Sequence, residues 1–182
     1  MRNYISIIAI IIAISLGILL LRKKKQETEG LGRTVATGRP PKVRIVYSKK
    51  QLPKDRRKIV SSREAYEVLK EIWSKQIDIR EEMIILLLDR SNTVLGYQVL
   101  SMGGITGTVA DIRLLYSTAL NALATGVIMS HNHPSGNMTP SQSDIELTRK
   151  VKEAGNIMEI NLLDHLIISQ DSYYSFADEG IL

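Results

Sequence analysis

Apolar and polar positions alternate with different periods along this chain, and the changes of period divide it. From Tyr4 to Leu21 the run YISIIAIIIAISLGILLL contains no charge over eighteen residues. At about 1.5 Å of rise per residue, a helix of that length just crosses a hydrocarbon core of about 30 Å. The run therefore reads as a transmembrane anchor. A cleaved signal peptide is the rival reading, but the run is longer than the usual apolar region of about 7–15 residues, and no small-x-small cleavage site follows it. Arg22, Lys23, Lys24 and Lys25 come next, against Arg2 and the amino terminus on the other side. The positive-inside bias then predicts a single-pass protein of the cell membrane with its body in the cytoplasm.

Residues 22–41, RKKKQETEGLGRTVATGRPP, show no apolar period and are rich in Gly, Thr and Pro, as a basic flexible linker would be. Globular patterning runs over 42–182. KVRIVYS (42–48) alternates like a strand. Ser61-x-x-Glu64 has the form of a capping box ahead of Ala65, Val68, Leu69, Ile72 and Trp73, which follow helical spacing and place Trp73 in the core. MIILLLD (83–89) and TVLGYQVLS (93–101), joined by Arg90-Ser91-Asn92, predict a buried hairpin. After the glycine-rich SMGGITGTVAD, Asp111 caps a helix carrying Ile112, Leu115, Tyr116, Ala119, Leu120 and Leu123. Those glycines have neither phosphate-loop nor dinucleotide spacing, so they read as turn formers. GVIMSHNH (126–133) is a strand, TPSQSDIELTRKVKEA (139–154) a helix stopped by Gly155, and INLLDHLIIS (160–169) a further strand. The sum is an α/β fold, a mixed sheet with flanking helices.

Composition narrows the chemistry. The 182 residues suit one domain plus an appendage, and the absence of cysteine removes disulfides, thiolate ligands and cysteine nucleophiles. The net charge of +5 is unevenly spread: residues 22–58 hold fourteen Lys/Arg and three Asp/Glu, while residues 59–182 hold nine and sixteen. The main body is thus acidic and offers no broad phosphate-binding surface, whereas the basic arm could meet polyanions or anionic lipid headgroups.

Two of the three histidines lie one residue apart in SHNHPSGNMTPSQSD, residues 130–144. On a strand, positions i and i+2 share a face, so His131 and His133 project together while Asn132 points away. Ser141 and Asp144 follow at helical spacing. Two imidazoles and a carboxylate form the three-ligand pattern of a catalytic zinc that keeps one position for water. Helix capping is an alternative explanation of the serine and aspartate: Ser141-x-x-Asp144 approximates a capping box, and Thr139-Pro140-Ser141-Gln142 is a still better helix start. Capping does not explain a pair of histidines on one face of a buried strand, since each would need a polar partner. His165 shares its strand face with Leu163 and Ile167 and reads as a satisfied core histidine, with Asp164 on the opposite face.

His131-x-His133, seven residues, Ser141, two residues, Asp144 resembles the JAMM motif of the JAB/MPN metalloproteases. The fuller HNHPSG…PS…D, with LLDH and YYSFADEG beyond it, resembles the bacterial RadC family over about residues 42–182. The resemblance implies a JAB/MPN α/β fold, zinc held by His131, His133 and Asp144, an activated water as nucleophile and an upstream glutamate as general base. Glu81 and Glu82 are the candidates. A continuous apolar run gives no period to separate them, but the family pattern sets the acid two residues before a large apolar residue, here Met83, which favours Glu81. Ser141, matching the motif's serine, would hydrogen-bond the developing oxyanion.

The activity implied is zinc-dependent hydrolysis of an amide bond in a peptide or isopeptide substrate. The RadC resemblance also brings an alternative, a nucleic-acid-associated DNA-repair module, which the acidic main body and the lack of a helix-hairpin-helix-like segment before it argue against. A zinc deaminase would need a Pro-Cys-x-x-Cys ligand pair, and this chain has no cysteine.

Overall fold

The computed structural model describes residues 52–103 and 110–182. The apolar segment 4–21, the linker 22–41, the strand expected at 42–48 and most of the glycine-rich loop lie outside the described residues. Among the described residues no helix is long and apolar enough to cross a membrane.

A single turn of 3-10 helix at Pro53–Asp55 leads to α1 (Ser62–Ile72), β1 (Glu82–Leu88), β2 (Val94–Met102), α2 (Ile112–Asn121), β3 (Gly126–Asn132), α3 (Gln142–Met158), β4 (Asn161–Ile168) and the short β5 (Tyr173–Ser175). The five strands form one mixed sheet in the order β2-β1-β3-β4-β5. β1 is antiparallel to both β2 and β3, β3 is parallel to β4, and β4 is antiparallel to β5. The parallel β3–β4 pair needs a crossover, and α3 supplies it.

Alternation along the strands splits the core into two layers. On one face Ile84, Leu86, Leu88, Ile128, Leu166 and Ile168 pack with Ala65, Tyr66 and Leu69 of α1, and Trp73 joins them as expected. On the other, Met83, Ile85, Leu87, Val127, Met129 and Leu162 pack with Leu115, Tyr116 and Ala119 of α2 and Val151 of α3. β1 and β3 are buried along their whole length. Each fully buried aliphatic side chain contributes about 1.5–3 kcal/mol, so these central strands are the most firmly held part of the sheet.

Local chemistry explains the helix ends. At α1 the Ser61 hydroxyl accepts from Glu64 N, and the Glu64 carboxylate reaches back to Val60 N at 2.8 Å, one residue before the cap. Asp111 caps α2 by accepting from Arg113 N. α3 starts later and runs further than its sequence suggests. Its cap is Ser141 rather than Thr139, because Ser141 and Asp144 satisfy each other's backbone N–H groups in a complete capping box. Nor does Gly155 stop it. The helix continues to Met158 and ends where Glu159 takes a left-handed conformation, φ 55°. Gly155 is a packing glycine: a β-carbon there would collide with Ile160 O and lie 2.7 Å from Tyr116 Oη.

Two strand expectations need correction. The β1–β2 hairpin is real, but β2 is an edge strand with only partly buried or exposed residues rather than a buried one. Leu163 does not share the His165 face. The β3–β4 register skips it, passing from Val127 opposite Leu162 to Ile128 opposite Asp164, and Leu163 packs against the α1-side core. Ile167 stays in step with His165, and Asp164 lies on the opposite face as expected.

Candidate metal centre

The C-terminal end of β3 and the first turn of α3 meet on the α2/α3 side of the sheet. His131 is the penultimate residue of β3 and pairs with Met83 of β1 and Ile167 of β4. His133 lies just past the strand, yet its N–H still bonds Ile168 O at 3.1 Å, so the alternation carries on to it. Their Nε2 atoms stand 3.0 Å apart. Asp144 arrives from the helix, its Oδ1 3.3 Å from His131 Nε2 and its Oδ2 3.8 Å from His133 Nε2. One donor atom from each of the three lies within 4.8 Å of the others. Bonds of about 2.0–2.1 Å in tetrahedral geometry separate ligand atoms by about 3.3 Å. The observed spacings bracket that figure, so a His-His-Asp cluster fit to hold a metal ion is present.

Neighbouring groups leave the converging atoms available. His133 donates from Nδ1 to the Asn137 carbonyl at 2.5 Å, so that Nε2 is the ring atom it turns toward His131 and Asp144. The capping box ties Asp144 Oδ2 to Ser141 N at 2.7 Å and Ser141 Oγ at 2.6 Å, and turns Oδ1 toward His131. The capping explanation and the metal explanation of Ser141-x-x-Asp144 are thus compatible in one arrangement, in which the cap sets the direction of the carboxylate. His131, only 2% exposed, is held well below its usual pKa, at about 4, chiefly by burial, with the Asp144 charge opposing and His133 adding to the shift. It is a neutral imidazole at pH 7, the form that binds metal.

Asn132 points to the other face, where it accepts from Glu82 N at 2.7 Å and donates to the carbonyls of Ile77 and Arg80. The two candidate bases separate just as clearly. Glu82 is 1% exposed and engaged through one oxygen by Ser74 Oγ at 2.8 Å and Arg80 Nε at 3.2 Å. By strand alternation it belongs with Ile84 and Leu86, on the α1 side. Glu81 directly precedes β1, its carbonyl accepts from Gly103 N at 2.9 Å, and alternation assigns it to the face of Met83 and therefore of His131. Ser141 is solvent-exposed, with its hydroxyl shared between Asp144 and Ser143 Oγ at 2.7 Å.

His165 is fully buried and satisfied, as expected of a core histidine. Its partners are informative: Nε2 lies 2.9 Å from His131 Nδ1, and Nδ1 lies 2.7 Å from Thr148 Oγ1. Sequence reasoning passed over Thr148. The signal available was its position four residues after Asp144, one helical turn away on the same side. Asp164 serves the opposite face, accepting from Ser175 Oγ, Ala177 N and His165 N and so joining β4 to the turn beyond β5.

The molecule so described is an α/β/α domain with a His-His-Asp cluster at the end of a central strand. Residues 59–181 match the family model of the RadC-like JAB domain, and the chain belongs to that family. It is 46% identical over 125 residues to a protein of Flavobacterium johnsoniae called UPF0758 protein, a match covering 69% of this chain and 54% of that one. A UPF0758 protein of Porphyromonas gingivalis is 43% identical over 129 residues, covering 70% and 56%, and one of Aquifex aeolicus is 36% identical over 129 residues, covering 71% and 54%. The chain thus spans about half the length of the curated relatives it matches.

Proposed function

We propose that the domain is a zinc-dependent metallohydrolase that cleaves an amide bond in a peptide or isopeptide. One observation carries this reading: three protein donors converge while their remaining polar atoms are bonded elsewhere, which is how a built ligand set differs from a chance cluster. His131 Nε2, His133 Nε2 and Asp144 Oδ1 would hold the ion. Zinc bound there supplies an acidified water, with a pKa of about 7, and a polarised carbonyl.

The chain's own residues supply the rest. Glu81, on the face of His131, takes the proton from the nucleophile and delivers it to the leaving amine. Ser141 can hydrogen-bond a developing oxyanion only by turning its hydroxyl away from Asp144, so its first role in this reading is to aim that ligand. Glu82 is already spoken for by Ser74 and Arg80 and takes no part.

The test is metal analysis of the purified 182-residue chain, kept in detergent because of its apolar first segment. About one zinc per chain is expected, with near-complete loss in each of His131→Ala, His133→Ala and Asp144→Ala, since three ligands leave little redundancy. Full retention of zinc by all three variants would refute the site. Hydrolysis of a peptide and isopeptide panel, abolished by chelation and restored by zinc, is the matching activity readout.

A further inference from the structure

We propose that Thr148 and His165 are positioning residues for the metal centre: together they form a hydrogen-bond relay that fixes the ring tautomer of His131 and presents its Nε2 lone pair to the ion. The relay rests on the metal reading above for its purpose, but not for its geometry.

Proton direction follows from counting donors. The Thr148 hydroxyl has one proton, and the Asp144 carbonyl, 2.6 Å away, can only accept, so the proton goes there. Thr148 Oγ1 must then accept at its other close contact, which is His165 Nδ1 at 2.7 Å. His165 is enclosed by the core, with Phe176 stacked on it at 4.5 Å between ring centres and 22° between planes. An imidazole in that setting is neutral and carries one N–H, here spent on Thr148. Its Nε2 is therefore a lone pair, and His131 Nδ1 must donate across the 2.9 Å contact. His131 then has no proton on Nε2, the atom that faces Asp144 and His133.

The relay begins and ends on proposed ligands. It runs from the ring of His131 through His165 and Thr148 to the backbone carbonyl of Asp144, so β3, β4 and the first turns of α3 are locked in one relative arrangement. His133 reaches the same tautomer by a shorter route, its bond to the Asn137 carbonyl. Histidine ligands ordinarily donate their second N–H to a carboxylate, a carbonyl or water. Here a second, non-ligating imidazole takes that place, and what sets it apart from a histidine satisfied by any nearby group is that its two partners, His131 and the first turns of α3 at Thr148, belong to the elements that carry the proposed ligands.

Two measurements test this. The first needs no substitution: long-range proton–nitrogen NMR of the metal-free, histidine-labelled chain should show N–H on Nδ1 for His131 and His165. Absence of N–H at His131 Nδ1, or an Nε2–H signal at His165, would overturn the relay whether or not the protein binds zinc. The second is zinc competition against a chelator. Thr148→Val keeps the shape but removes the hydroxyl, and should weaken zinc by about 10–100-fold. Thr148→Ser, which keeps the hydroxyl, should stay close to wild type. Zinc affinity unchanged in Thr148→Val, or equally weakened in both variants, would refute a positioning role. Failure of the wild-type chain itself to take up zinc would instead remove the metal reading and leave the tautomer result to judge the relay.

Discussion

Two adjacent glutamates, Glu81 and Glu82, illustrate how much a single step along a strand decides. Strand alternation assigns them to opposite faces, Glu81 to that of His131 and Glu82 to the α1 side, where Ser74 and Arg80 hold it. Their glutamine variants should therefore fail in different assays. Glu81→Gln should keep its zinc and its melting temperature but lose about 10²–10⁴-fold in kcat, because an amide preserves shape yet cannot accept a proton. Glu82→Gln replaces a buried carboxylate by an amide that can still accept from Ser74 but no longer balances the Arg80 charge. Arg80 is one-third exposed and can rehydrate, so a modest loss of about 1–2 kcal/mol is expected, with kcat unchanged in the folded fraction. Thermal unfolding beside steady-state rates separates the two, and a catalytic defect confined to Glu82→Gln would move the base.

At the scale of elements, α3 is the part that assembles the site, and its two ends do different things. Its first turn aims Asp144 and, one turn on, Thr148. Its last turns need Gly155, whose missing side chain leaves room for the Ile160 carbonyl and the Tyr116 hydroxyl as the chain turns back into β4. Gly155→Ala should be costly although alanine favours helices by about 1 kcal/mol. The added carbon meets the Ile160 carbonyl, a backbone atom that cannot swing aside, and the Tyr116 hydroxyl, which bonds Val151 O at 2.6 Å. A net loss of about 1–3 kcal/mol is expected, read from chemical denaturation, and a neutral or stabilising outcome would contradict the close approach. This glycine also shows where sequence reading stopped. Apolar periodicity made α1, α2, the central strands and the histidine pair legible, because those signals are local. Gly155 does not act as a stop signal because its constraint is a close approach, made by the Ile160 carbonyl where the chain turns back and by Tyr116, far away in sequence. Thr148 was invisible for the same reason, since its meaning depends on a histidine in another strand. The Leu163 assignment failed because a register irregularity, which no alternation pattern announces, shifts the strand by one residue. Assigning Glu81 and Glu82 to faces needed the strand's starting point as well as its composition.

At the scale of the whole molecule the open contest is between a protein-cleaving and a nucleic-acid role, and charge distribution gives it a decisive test. Residues 42–182 carry seventeen cations against seventeen anions, with eight of those cations in 42–58, whereas the six cations within 22–41 sit in a segment of linker composition outside the described residues. Binding of duplex DNA that depends on that segment is a polyelectrolyte effect, independent of sequence. It should fall steeply with salt, and changing Arg22, Lys23, Lys24, Lys25, Arg33 and Arg39 to Gln in the full chain should flatten the log–log salt slope by up to about 5. The same variant, reconstituted in lipid, should lose attraction to anionic headgroups at about 1 kcal/mol per cation near the surface, which no DNA-specific device predicts. A nucleic-acid enzyme makes the opposite demand, since its domain must recognise the substrate without help from the arm. Titrating labelled duplex and single-stranded DNA into the wild-type and neutralised chains at two salt concentrations distinguishes them. Weak, salt-sensitive binding that drops further on neutralisation agrees with the amide-hydrolase proposal. Tight binding that survives both neutralisation and higher salt would place the His131–His133–Asp144 centre in a nucleic-acid enzyme instead.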